Sequence, residues 1–539
     1  MNKKFVNFFV MILVLLICTS CQKDEIIEEN LQNNNINQEN NLNIENTNKS
    51  NEIVLSMRTT QNLNPLINED ESVDNILKLM FEPLIAIDSN FKPQPAIAES
   101  WSFSEKGNVI SINIKDNIYW HNGNKITVDD VIFSINTIKN APQNSVYKSC
   151  VSNIISYTKT SNTSLNITFL ENYIGNIYYL TFPIISSNYY GNGGLEDDEK
   201  KLKPLGNGIY EFKSFIPAKE LRLIKANNNF GKEALTNEVC INITPDKDTD
   251  LYSFDQGILD VISADITDMA KYDTSDDRQI SEYSTNYIDY IGFNWNRKIF
   301  FDKNLRKAFA FVLPKENIIE SVYLSHAEIT NTMINPSSWL YEENVVNYNY
   351  NIEHAKTLLD ESGFFDVDDD GIREKIIDGK KYILSFSILV NSENDERKQI
   401  ASKFMEGLKA IGVNAVIESV SYDEYVERLN SKNFDIYIGG IKQSIIPDLT
   451  YILGTHGDMN FSSYSDETMD NLLHLSKTAI NDNDMKLAFS NLQKYIADEV
   501  AYIPVAYRNS AIFANKRIGG ELSLTETNVY GNIYKWYLK

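Results

Sequence analysis

Cysteine and histidine are scarce, with four and five copies in 539 residues. Two of the cysteines, Cys18 and Cys21, fall near the start, leaving Cys150 and Cys240 in the body. Neither sits in a Cys-x-x-Cys or Cys/His metal spacing. An oxidising compartment permits one disulfide between them, and two separate buried thiols is the plainer reading. Basic residues are outnumbered, 50 against 74 acidic, for a formal net charge of −24. Nucleic acid demands basic patches, so that partner class is excluded; so is lying flat on an anionic membrane. No P-loop, G-x-S-x-G or H-E-x-x-H is present. Ser145-Val146-Tyr147-Lys148 fits the S-x-x-K of penicillin-recognising enzymes, but the accompanying S-D-N and K-T-G are missing. An exported hydrolase is therefore disfavoured, and no enzyme is expected. Beyond residue 21 no apolar run approaches the roughly 20 residues of a spanning helix.

What the chain does have begins at its start. Lys3 and Lys4 precede the apolar stretch Phe5 to Ile17, then come Cys18-Thr19-Ser20 and Cys21. A charged start, a short apolar run and small residues make a secretory signal over 1–20. Cys21 directly after it looks like a bacterial lipobox, in which that cysteine is lipidated. Cys18 stands where a lipobox usually has leucine, and bulky Ile17 makes Cys18 itself a poor acceptor. Residues 21–51 are rich in Asn and Glu and hold no aromatics. Such a segment buries too little apolar surface to offset its ordering entropy. It reads as a lipid-anchored, disordered tether reaching roughly 30 Å. The expected location is the extracytoplasmic face of a cell membrane.

The body is 42% hydrophobic and 11% aromatic as counted over the whole chain, enough for a core. Strand and helix patterns alternate, which favours an α/β architecture. Strands are expected at Glu52–Arg58, Val109–Lys115, Tyr287–Asn294, Tyr382–Asn391, Asn414–Val420, Phe434–Gly440 and Ala501–Tyr507. Helices are expected at Ser72–Met80, from Thr127 to Asn140, and at Asp302–Val312, Ile352–Ser362, Asp395–Ile411, Tyr422–Leu429, Asp466–Ile480 and Asp482–Asp498. Asp130 stands at the capping-box position after Thr127, and Gly363 ends a helix as C-terminal glycines do.

A succession of strings then narrows the reading. Leu63-Asn64-Pro65-Leu66, Glu82-Pro83-Leu84, Pro95-Ala96-Ile97-Ala98-Glu99-Ser100-Trp101 and Trp120-His121-Asn122-Gly123 to Thr127-Val128-Asp129-Asp130-Val131 occur in order. Gly206-Asn207-Gly208-Ile209-Tyr210, Asn304 to Phe309, Ala355 to Gly363 and Tyr502-Ile503-Pro504-Val505 continue it. The set closely resembles solute-binding protein family 5 of ABC importers, the oligopeptide, dipeptide and nickel binders, over about 50–520. The resemblance implies a two-lobed type II periplasmic-binding-protein clamp with an extra subdomain inserted in lobe I. Lobe I is expected at 52–287, with the insertion near 85–205; lobe II at 288–500; and a return to lobe I at 501–539. Hinges are expected near Tyr290–Asn294 and Ile503–Tyr507. Trp120, His121 and Arg306 read as structural.

The implied function is an extracytoplasmic substrate-binding lipoprotein that delivers a short peptide to a permease with a separate ATPase subunit, acting as a monomer. A peptide-pheromone or nutrient sensor on the same fold, or a binder of a nickel complex or other non-peptide solute, is the alternative. Candidate ligand contacts are Asn64, Glu69, Trp339, Ile441, Lys442, Gln443, Ser444 and Asp448. Peptide binders usually carry Trp after the glycine of this last loop, then an Asp that pairs with the peptide's α-ammonium. Here Ile441 replaces the Trp, and Ser444-Ile445-Ile446 fills the Asp region. Losing such a charge-assisted hydrogen bond removes roughly 1.5–3 kcal/mol. Either Glu69 or Asp448 substitutes, or the ligand is not held by a free amine. No cofactor is expected beyond a structural calcium at Asp366, Asp368, Asp370 and Glu374. Their spacing matches the first half of an EF-hand loop, but Ile377 stands where the bidentate Glu belongs. A solvated acidic turn is the alternative there.

Overall fold

Two long antiparallel strands form the spine of the molecule. They are Arg278–Phe293, of 16 residues, and Tyr502–Asn515, of 14. The computed structural model describes residues 51–227, 231–265, 278–377 and 379–539; the signal, Cys21 and nearly all of the tether lie outside these. The spine strands pair from Arg278 opposite Asn515 to Gly292 opposite Tyr502, with register shifts between Ser284 and Ile288 and between Asp289 and Tyr290. Such bulges bend a strand and increase its twist. Sequence patterning marks only the apolar part of each strand, near 287–294 and 501–507. The remainder, Arg278–Asn286 and Arg508–Asn515, is polar or mixed and extends each strand well past the expected bounds.

At one end the spine adds Val261–Ala264. At the other it adds Ile436–Lys442, then Ser385–Asn391 and Asn414–Val420, the last two joined by parallel pairing. With Ala327–Ile329 these make one seven-stranded sheet that both lobes share. A four-stranded sheet of Glu52–Met57, Glu238–Ile243, Glu220–Lys225 and Tyr210–Ile216 falls within the span expected for lobe I. Ile53, Leu55 and Met57 point inward at period two and are fully buried. A separate antiparallel sheet, Ala98–Phe103, Val109–Ile114, Ser164–Phe169 and Ile154–Lys159, lies within the span where an insertion is expected.

Local signals hold where the chemistry is local. Thr127 and Asp130 form the capping box, with the Thr127 N–H donating to Asp130 Oδ2 at 2.9 Å. Asn394 caps the helix Asp395–Ala410, and Gly363 adopts φ +78° after Ile352–Glu361. The expected strand at Tyr382–Asn391 is instead two. Lys380–Ile383 turns back on Glu374–Ile377 as a hairpin, and Ser385–Asn391 alone enters the large sheet. In lobe II, Phe293, Phe300, Phe309, Phe386 and Phe404 pack ring against ring. Arg306 is buried there, donating to the carbonyls of Phe300 (2.6 Å) and Glu499 (2.8 Å) and pairing with the Glu499 carboxylate. His121 bonds the Gly208 carbonyl at 2.9 Å, and burial pushes its pKa down to about 4. Cys150 and Cys240 are both free and buried. No helix among the described residues is long and apolar enough to cross a membrane.

Candidate ligand-binding site

The strand Ile436–Lys442 loses its burial toward its end, and the chain leaves the sheet at Gln443. Three bonds fix that residue. Its N–H donates to Asn286 O (2.8 Å), its amide nitrogen to Met333 O (3.1 Å), and its amide oxygen accepts from Tyr507 (2.7 Å). Ser444 Oγ then accepts from the Ile446 N–H at 3.1 Å. Asp448 Oδ1 accepts from both the N–H and the hydroxyl of Thr450, at 2.8 and 2.6 Å. The loop therefore has a defined shape before any ligand contact. Beneath it lies a cavity of about 40 Å³, lined by Phe91, Tyr178, Asn286, Asn335, Gln443, Ser444 and Asp448 among others.

Two lysines span the walls of this cleft. Lys477 lies 2.9 Å from Asp448 and 3.3 Å from Glu171. Burial works against its charge, but Asp448 and Glu171 outweigh it and raise its pKa. On the other flank Lys442 reaches Glu71 at 2.8 Å and Glu526 at 3.9 Å. Burial raises the Glu526 carboxyl to about 7 despite Lys442. Its Oε1 is buried without a hydrogen-bond partner among the described residues, while Oε2 accepts from the Asn286 N–H at 2.9 Å. Further direct contacts join the walls: Tyr173 donates to Pro447 O (2.9 Å), and the Trp339 indole donates to Tyr178 Oη (2.8 Å).

Of the residues singled out by sequence, Gln443, Ser444 and Asp448 meet at the cavity. Ile441 is half-buried on the core, opposite Ile288. Trp339 is a clasp, with its N–H bonded to Asn90 O at 2.9 Å and Lys92 over its ring at 4.8 Å. Asn64 is buried and holds its own loop, accepting from the Leu66 N–H at 3.0 Å. Glu69 is exposed and has no partner among the described residues; Glu71, two positions on, is the carboxylate that crosses to Lys442. Asp448 does reach the cleft, with its carboxylate already engaged by Thr450 and Lys477.

One cluster escaped sequence reasoning altogether. Asp289, on the spine between the two register shifts, is fully buried. It takes Arg397 Nε at 3.0 Å, Arg508 Nε at 2.6 Å and the Tyr323 hydroxyl at 2.6 Å. Burial alone would raise this carboxyl, but the two guanidinium groups hold it below its ordinary value. Arg397 also donates to Tyr287 at 2.6 Å. Gly440 in the cleft strand packs against this cluster, where an added Cβ would collide with Arg397 Nη2 and Asp289 Oδ1. The four residues lie far apart in the chain, so no spacing signals them.

At the acidic turn, carboxylate oxygens of Asp366, Asp368 and Glu374 lie within 4.8 Å of one another. Lys381 sits among them, 3.0 Å from Asp368 and 3.2 Å from Glu374. Asp370 points elsewhere, accepting from the Ile372 N–H at 2.8 Å. A lysine ammonium thus already pairs with two of the three carboxylates. Lys148 of the S-x-x-K tetrapeptide spends its ammonium on the carbonyls of Lys139 and Ala141, both at 2.8 Å, and serves as a helix cap.

Comparison with known proteins gives this architecture its relatives. The model of the bacterial extracellular solute-binding proteins, family 5, matches residues 92–462. The oligopeptide-binding protein AppA of Bacillus subtilis is 26% identical over 493 residues, covering 88% of this chain and 89% of that protein. Among solved structures, HbpA2 from Haemophilus parasuis has a TM-score of 0.76 at 20% identity, covering 90% of this chain and 99% of that one. NikZ from Campylobacter jejuni, in complex with Ni(L-His), has a TM-score of 0.66 at 23% identity, with coverage of 90% and 99%. The chain is a two-lobed α/β clamp of the type II periplasmic-binding class, and it belongs to family 5 of the bacterial extracellular solute-binding proteins.

Proposed function

We propose that this solute-binding protein is held to the outer face of the membrane by a lipid on Cys21, takes a short peptide between its lobes as a monomer, and hands it to an ABC permease with a separate ATPase. The observation that carries the reading is the pre-shaped loop 443–449, which sets Gln443, Ser444 and Asp448 among the apolar Ile445, Ile446, Pro447 and Leu449 and is opposed by Tyr178 and Asn286. Amides and hydroxyls there suit the alternating donors and acceptors of a peptide backbone. A cavity of about 40 Å³ holds little more than a water molecule, so a peptide enters only when the lobes part. Binding then exchanges contacts such as Tyr173–Pro447 and Trp339–Tyr178 for ligand contacts, and the ligand biases the clamp by that difference. A permease can read the outcome.

Support for a peptide comes from AppA of Bacillus subtilis, an oligopeptide-binding protein by name. NikZ, solved with Ni(L-His), favours the second reading, a metal complex or other non-peptide solute. Native mass spectrometry of the purified protein with its co-purified ligand decides between them: peptide masses support the first, a metal adduct overturns it. Uptake of labelled ligand by a deletion strain separates import from sensing. A calcium ion at 366–374 would have to displace Lys381. Asp368→Ala should then shrink a calcium-dependent melting shift, and no such shift in the wild type would remove the idea.

A further inference from the structure

We infer that a second chamber beside the cleft receives a cationic group of the bound solute, an ammonium or guanidinium; the inference rests on the peptide reading above and sharpens it. The chamber has a volume of about 710 Å³, within the roughly 300–1,000 Å³ of small-molecule sites and far larger than the neighbouring cavity. One wall is Glu171, which also pairs with Lys477; the rest comes from 450–458 and 470–478. It adjoins the cleft directly. Lys477 lines the chamber and holds Asp448, which lines the cavity, at 2.9 Å. That ion pair is the partition between the two spaces.

The charge of the lining selects the occupant. Asp458 is exposed at the mouth and has no hydrogen-bond or ionic partner among the described residues. Asp470 accepts from the N–H and hydroxyl of Thr455, at 2.9 and 2.6 Å, and faces no cationic partner. Lys477 is already shared between Asp448 and Glu171. Three carboxylates therefore line the chamber, Glu171, Asp458 and Asp470, against the one ammonium of Lys477, beside the exposed His456 and His474. The helix Glu467–Ser476 also ends here, with Leu473, His474 and Lys477 on the lining, and the C-terminal end of a helix favours a positive group. A carboxylate entering this space meets uncompensated negative charge. A lysine or arginine side chain, or a free peptide amine, finds two acceptors, Asp458 and Asp470, without dislodging Lys477.

The test uses penta-alanine and five variants of it, each with arginine at one position, titrated calorimetrically into the purified protein. One arginine position should bind about tenfold tighter than penta-alanine, the factor that about 1.4 kcal/mol represents. Norleucine at that position should lose the gain. In Asp458→Asn/Asp470→Asn the ratio of the two Kd values should fall to about one, while exposed Asp423→Asn keeps it. If penta-alanine binds and no arginine position improves on it, or the ratio survives in the double variant, the chamber does not select cations. If neither penta-alanine nor any arginine peptide binds, the peptide reading and this inference fall together, and the silence of penta-alanine distinguishes that outcome.

Discussion

Removing the carboxylate at Asp289 is the sharpest stability test of the spine. The side chain is fully buried and faces two arginines whose own side chains are 7% and 17% exposed. In Asp289→Ala, Arg508 Nε and Arg397 Nε each lose their acceptor, and the low-dielectric site keeps two positive charges with none opposite. Breaking a buried pair by deleting one partner costs about 3–5 kcal/mol; with two arginines and Tyr323 released, about 4 kcal/mol is reasonable. Unfolding entropy of about 2.1 cal/mol/K per residue gives a body of this size about 1 kcal/mol/K, so the melting temperature should drop by about 4 °C. Calorimetry measures the drop, and hydrogen exchange should show the amides of Arg278–Phe293 opening. Replacing all three charges, Asp289→Leu with Arg397→Met and Arg508→Met, should recover most of the loss, because no charge is then stranded. The sign with pH follows from the depressed carboxyl. Its stabilisation is present above the unfolded value near 4 and disappears as pH falls through the folded value. A drop below about 1 °C with unchanged exchange would refute this account of the buried cluster.

Gly440→Ala should damage the same node by a different route, since its Cβ collides with Arg397 and Asp289; a melting temperature within 1 °C of wild type would contradict it. Trp536→Ala should cost about 3–5 kcal/mol in denaturant titration, because the indole is fully buried and bonded to Asn532 at 3.0 Å. Glu526→Gln should be more stable than wild type at pH 8 by about 2 kcal/mol and converge with it near pH 4. The carboxyl raised to about 7 favours folding while protonated, and that advantage is lost as pH rises from about 4 to 7. Parallel stability–pH curves for the two proteins would show that its burial has no such effect.

Much of the framework was legible because it rests on local chemistry. Thr127 with Asp130, and Gly363 after Glu361, act within a few residues of themselves, and both appear as read. The polar parts of the spine strands were not legible, since Arg278–Ser284 and Arg508–Asn515 gain strand geometry from partners distant in sequence, each other and, for the second strand, Val261–Ala264. The hairpin at Glu374–Ile383 was missed for the same reason. At the site, the loop 443–448 could be found because it follows a patterned strand. Neither Lys477 nor Glu71 could, because each acquires its meaning from partners that only the fold brings near, Glu171 and Asp448 for the first and Lys442 for the second. Asp448 shows the limit most clearly: sequence places a carboxylate in the loop, while only the fold shows that Lys477 already holds it.

The shared sheet also sets the order in which the molecule can be completed as it is made. Residues 294–501 are threaded between the two spine strands, and residues beyond 515 reach back to the part of the fold made before the first of them. Thr236 donates to Trp536 O at 2.9 Å across 300 positions, and Arg517 pairs with Asp260 at 2.8 Å. Contacts of such separation are slow to form. A chain emerging from its N-terminus leaves both the sheet edge at Val261–Ala264 and the core around Phe293, Phe309 and Phe386 unfinished until the strand Tyr502–Asn515 arrives, because Ile503, Val505 and Ala506 belong to that core. That late closing strand delays commitment to the native state until the residues from Tyr502 onward have been made.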